Sequence, residues 1–76
     1  MILKEFGIEL APESEPMTYN DAKMYCFTLT HDGKIGWRMP VYEEWSYITG
    51  SDGWWDNPLF CFYVEQKQVR PVRDLR

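Results

Sequence analysis

Two thiols, one imidazole, an arginine–glutamate spacing and a short run of oxygen donors are the groups in this chain with chemistry to offer. Cys26 and Cys61 read first as inert, buried thiols that behave as small apolar side chains. A disulfide and a reactive thiolate are the alternatives. His31 has no second histidine with which to share a metal, so it reads as a surface residue in the last turn of a helix rather than a ligand or general base. Asp52, Asp56 and Asn57 put oxygen-bearing side chains close together. Calcium takes about six to eight oxygens, so they read as turn residues, with calcium the alternative. Arg38 and Glu44 bracket a helix start at a spacing that suits a bidentate bridge from turn to helix. Neither a nucleophile nor a titratable base accompanies them. The pair therefore reads as structural, and no catalytic residue, metal or cofactor is expected.

The aromatic side chains carry more information than the titratable ones. Four Trp, four Phe and five Tyr make 17% of the chain, and each large ring can bury about 150–250 Å². Trp37 and Trp45 flank the Arg38–Glu44 spacing and read as core, with a sugar-stacking platform as the alternative. Trp54 and Trp55 are adjacent, and in extended chain adjacent side chains point to opposite sides, so one enters the core while the other faces out. An outward Trp in a loop marks an interaction surface, where this residue is enriched. Trp54, Trp55, Asp56 and Asn57 are accordingly the expected contact residues.

The elements that must position these groups follow from periodicity and punctuation. Phe6, Ile8 and Leu10 alternate with Gly7 and Glu9, which predicts a half-buried strand within residues 2–10. Residues 11–16, with two prolines, read as a loop. Thr18 caps a helix with Asp21 three residues on, Ala22, Cys26 and Leu29 form its apolar face, and Asp32-Gly33 stops it. Pro40 opens a second helix with Glu43 and Glu44 in its first turn, an apolar stripe of Val41, Trp45 and Ile48, and Gly50 as its stop. Residues 51–53 form a turn. Leu59–Val64 is apolar at alternate positions on both faces and reads as a central strand. After a polar hairpin loop at residues 65–68, Val69–Arg73 reads as a final strand, held to an edge or bulge by Pro71.

Bulk properties bound the answer. Seventy-six residues make one domain, and a chain this short buries only about 60% of its unfolded surface. The net charge of −4 lacks the basic stripe that nucleic-acid binding needs. No apolar run approaches the roughly 20 residues of a membrane span, and the first residues have no signal-peptide pattern. The expectation is a cytoplasmic protein, for which a disulfide is disfavoured.

Thr18-Tyr19-Asn20-Asp21-Ala22-Lys23-Met24-Tyr25-Cys26, then Gly36-Trp37-Arg38-Met39-Pro40 and Glu44-Trp45, and finally Tyr63-Val64 through Val69-Arg70-Pro71-Val72-Arg73, resemble the C-type-lectin-like fold. The similarity is to its bacterial and phage branch, which includes the formylglycine-generating (sulfatase-modifying-factor) superfamily and related domains of unknown function. The resemblance implies paired N- and C-terminal strands, and Glu5 and Glu9 facing Arg70 and Arg73 agree with that pairing. It also brings Cys26 near Cys61, since the lectin fold often bridges this helix to the final sheet. Val41 stands where the family has a threonine cap. The long loop that carries calcium and ligands is almost absent, and the family's catalytic cysteines lie in sequence this chain lacks. Its calcium motifs are missing too, Trp55-Asp56-Asn57 having the last two residues in the opposite order.

The resulting expectation is an α+β domain, a reduced C-type-lectin-like fold with two short helices packed on a small antiparallel sheet. Its expected role is a non-enzymatic interaction module that meets a protein partner or a second copy of itself through the aromatic loop. A carbohydrate-binding module, with or without calcium, and a structural homo-oligomer subunit are the alternatives. Association by size and family points to a phage, which would place the protein in the host cytoplasm or the virion.

Overall fold

The computed structural model describes residues 1–48 and 52–75; the expected helix stop at Gly50 and the first residue of the 51–53 turn lie outside them. The segment expected as one strand is a hairpin, β1 (Ile2–Leu3) and β2 (Ile8–Leu10). Gly7 sits at φ +62°, a left-handed conformation that costs glycine no steric penalty, and the amide of Phe6 donates to the carbonyl of Leu3. The expected alternation is not realised in burial: Glu9 is buried together with Ile8 and Leu10, and Phe6 is half-buried within the turn.

The first helix, α1 (Tyr19–Thr28), begins where expected, with the Thr18 hydroxyl accepting from the Asp21 amide. Its end is four residues early. The Thr28 hydroxyl bonds back to the Met24 carbonyl, and Leu29 leaves in an extended conformation. Asp32-Gly33 is not the helix stop but the tip of a two-residue turn. His31 and Lys34 exchange both backbone hydrogen bonds across it, and Asp32 and Gly33 both take positive φ, 54° and 71°. That is the type I′ geometry for which Asp-Gly is a preferred pair.

The second helix, α2 (Tyr42–Ile48), starts two residues after Pro40. The Pro40 carbonyl accepts from the Asp56 amide, so it is spent on a loop contact and not on a first helical bond. The expected stripe of Val41, Trp45 and Ile48 is only half realised: Val41 is exposed, Trp45 and Ile48 are half-buried, and the one buried side chain of α2 is Glu44.

Leu59–Val64 is not a strand. Pro58–Phe62 is a 3-10 helix whose first turn is capped by the Asn57 side chain accepting from the Leu59 amide, with proline at its start. The local Asn-Pro start signal outweighs the apolar run. The last strand, β3 (Val72–Asp74), follows a buried Pro71.

The sheet is antiparallel in the order β1-β2-β3, so N- and C-terminal segments pair as expected. Ile8, Glu9 and Leu10 face Asp74, Arg73 and Val72. Glu9 thus lies opposite Arg73, but Glu5 does not meet Arg70; it accepts from the Tyr47 hydroxyl, and Arg70 donates to the Ala11 carbonyl. The pairing runs on past β2, through Ala11 to Pro71, Ser14 to Val69 and Met17 to Lys67. Arg38 bridges the outer side of Val72. Two apolar clusters result. One gathers Tyr19, Ala22, Cys26, Met39, Trp54 and Val69, and the other joins Ile8, Leu10 and Val72 with Ile48 against them. Among the described residues this is a small α+β fold of two α-helices, one 3-10 helix and a three-stranded antiparallel sheet.

Candidate functional site

The bridge expected from the Arg38–Glu44 spacing is present in full. Arg38 donates from Nη1 and Nη2 to Oε1 and Oε2 of Glu44 at 2.9 and 3.0 Å. Its remaining donors reach the Met39 carbonyl and the Asp74 carboxylate. Glu44 also accepts from the Val41 amide at 3.0 Å. This is half of a capping box, in which the third helical residue reaches back to the cap amide, so the missing threonine side chain is offset from the other direction. Hydrogen bonds to Glu44, then Asp74, hold the Arg38 proton more firmly than usual. Glu44 is its buried end and Asp74 its exposed one, which makes it a tie between α2, the central segment and β3.

The tryptophan pair divides as adjacency predicts. Trp54 is fully buried and its Nε1 donates to the Met17 carbonyl at 2.6 Å; the Lys67 ammonium lies 5.2 Å from its ring centre. Trp54 therefore offers no surface, and its expected place among the contact residues is corrected. Trp55 is half-exposed, at the centre of a cluster with Tyr42, Trp45 and Phe60, the nearest rings being 4.8 and 4.9 Å away. Trp37 is core, its Nε1 bonded to the Lys34 carbonyl.

The oxygen donors have separate employment. Asp52 pairs with Lys67 at 2.9 Å, Asp56 accepts from the Tyr19 hydroxyl at 3.3 Å, and Asn57 caps the 3-10 helix. Burial first, and then Asp56, raise the Tyr19 hydroxyl above its ordinary range. Among the described residues no group of three or more His, Cys, Asp or Glu side chains is placed to hold a metal ion. His31 is half-buried beside Asp32, with its ring edge-on to Trp37. The thiols differ from each other. Cys26 is buried, and burial pushes it up to about 12. Cys61 is exposed, contrary to the expectation of two buried thiols.

What sequence reasoning missed is the surface. Leu59, Phe62 and Val64 are 67%, 82% and 85% exposed, and with Tyr63 they form an apolar ridge along and beyond the 3-10 helix. Phe60 of this run packs against the first cluster, edge-on to Tyr19 and tilted on Trp54, and the half of Tyr63 that is covered lies edge-on to Trp54 and Phe60. The signal that could have found it is Asn57-Pro58, because a helix opened there cannot bury both faces of a six-residue apolar run. No helix among the described residues is long and apolar enough to cross a membrane. Comparison with protein-family models, curated proteins and solved structures finds no match for the chain.

Proposed function

We propose that this chain is a small non-enzymatic interaction module whose contact surface is the aromatic segment from Trp55 to Val64. The observation that carries the reading is the outward ridge of Leu59, Phe62, Tyr63 and Val64. Contiguous exposed apolar side chains of this size mark sites that another surface covers. The half-exposed Trp55 adjoins the ridge through Phe60, extending it toward Tyr42 and Trp45. The resemblance to the lectin-like branch is the basis for a phage source and for the cytoplasm or virion as its compartment.

A carbohydrate-binding module is the second reading, favoured by the half-exposed rings of Trp45 and Trp55. Against it, Tyr42 and Phe60 already occupy ring surface on Trp55. A calcium-dependent rise in melting temperature with simple sugars would support it.

The test is the triple change Leu59→Ser/Phe62→Ser/Val64→Ser, followed by melting temperature, light scattering and affinity capture. A contact surface predicts a variant that melts within a few degrees of the parent yet loses the association the parent makes. A variant that unfolds would return these side chains to the core. A folded variant that behaves as the parent does in both association assays would end the reading.

A further inference from the structure

Resting on that reading, we infer that the ridge is built for a partner protein whose apolar contact residues are bracketed by Lys and Arg, and not for a second copy of this chain. The argument is one of charge placement. From Asn57 to Val64 there is no charged side chain, and the two residues that close the run are both acidic, Asp56 and Glu65. Both are exposed. Glu43 adds a third exposed carboxylate beside Tyr42, whose ring touches Trp55. The cation nearest in sequence, Lys67, is already held by Asp52 and lies over Trp54. Asp56 takes its hydrogen bond from the neutral Tyr19 hydroxyl, so its charge is not cancelled.

A two-fold contact of the ridge with itself has two arrangements. Ridges running antiparallel set Asp56 against Glu65 of the second copy, and ridges running parallel set each acid against its own equivalent. Like charges meet at both rims either way, an arrangement that interfaces avoid. The net charge of −4 adds a general repulsion between copies. A basic-rimmed partner reverses the sign of every one of these contacts. The area is adequate for a modest complex. With rings at about 150–250 Å² each, the four ridge residues offer roughly 500 Å², more than half of the ~800 Å² that one partner contributes to a standard interface.

The experiment is titration of the intact chain, by calorimetry at low and at physiological salt, with a synthetic 18-residue amphipathic peptide of Leu and Lys, and with its Leu and Glu counterpart. The expected result is binding of the Lys peptide alone, weakened about tenfold by Asp56→Asn/Glu65→Gln and by Phe62→Ser, and weakened by salt. The distant double change Glu13→Gln/Asp32→Asn alters the net charge equally and is expected to change affinity less than twofold. Equal weakening by the two double changes would mean general attraction to an acidic protein and would overturn the inference. A dimer in light scattering that Phe62→Ser dissociates would overturn it as well, while leaving the interaction reading intact. If every ridge variant matches the parent in peptide binding, in mass and in affinity capture, the interaction reading itself falls.

Discussion

At the scale of single residues, the buried Glu44 ties the start of α2 to the central segment. It satisfies two Arg38 donors and the Val41 amide at once, and removing it leaves the Val41 amide without this acceptor and Arg38 with only the exposed Asp74 and the Met39 carbonyl. Glu44→Ala is expected to cost about 2–4 kcal/mol, against a total of about 4–11 kcal/mol for a chain of this length. The melting temperature in circular dichroism should fall by roughly 10 °C or more. Glu44→Gln, which keeps the Val41 bond, should cost about half as much. Equal, small losses for both would show the network to be idle. The thiols give a second residue-scale prediction. Native protein treated with iodoacetamide at neutral pH should gain one adduct, at exposed Cys61, and the second only on unfolding, because burial shields the Cys26 thiol and pushes its pKa up to about 12. Rapid double labelling of the native chain would contradict this.

At the scale of elements, the Asp32–Gly33 turn is the place where the backbone asks most of its sequence. Gly33→Ala meets no neighbour at its new Cβ, so its cost is the left-handed conformation alone, about 1–2 kcal/mol. Asp32→Asn keeps a residue suited to that region and should be neutral or stabilising by a few tenths of a kcal/mol. Urea midpoints of the two variants should therefore move in different degrees, and a neutral Gly33→Ala would mean the turn is not held in this geometry. The same turn shows how far sequence alone reaches. Asp-Gly announces a chain reversal, but it serves equally as a helix stop and as a two-residue hairpin, and here α1 has already ended at Leu29, which leaves in an extended conformation. The Thr18 cap and the Arg38–Glu44 bridge were legible because each is decided within six residues. The start of α2 was not, because the Pro40 carbonyl is claimed by an amide sixteen positions away at Asp56. The 3-10 helix was announced by Asn57-Pro58, yet its apolar run has the composition of a buried strand. Composition does not encode what lies on the far side.

At the scale of the whole molecule, long-range polar ties hold together two apolar clusters that are each small, and one of them makes stability depend on acid. Lys34, at the end of the turn, donates to both oxygens of Glu9 in the central strand at 2.9 and 3.1 Å, joining residues twenty-five apart in sequence. The Lys34 hydrogen bond is the main cause that holds the Glu9 carboxyl below its ordinary value of 4.5; burial opposes it, and the charges of Lys34, Arg73 and the N-terminus assist. A carboxyl whose folded pKa is depressed binds its proton more readily in the unfolded chain. Its contribution is thus complete above 4.5 and is lost as pH falls through the lower folded value. The urea midpoint of the parent should be level through neutral pH and fall below about pH 4.5, the ordinary carboxyl value. Lys34→Met removes the main cause of the depression while keeping an apolar side chain of similar length, so it should be less stable than the parent at pH 7. The gap should narrow as the pH falls below 4.5 and the parent's Glu9 takes up its proton. A gap that stayed constant from pH 7 to pH 3 would assign the loss to packing of the Lys34 stem, and the tie between turn and sheet would have no electrostatic part.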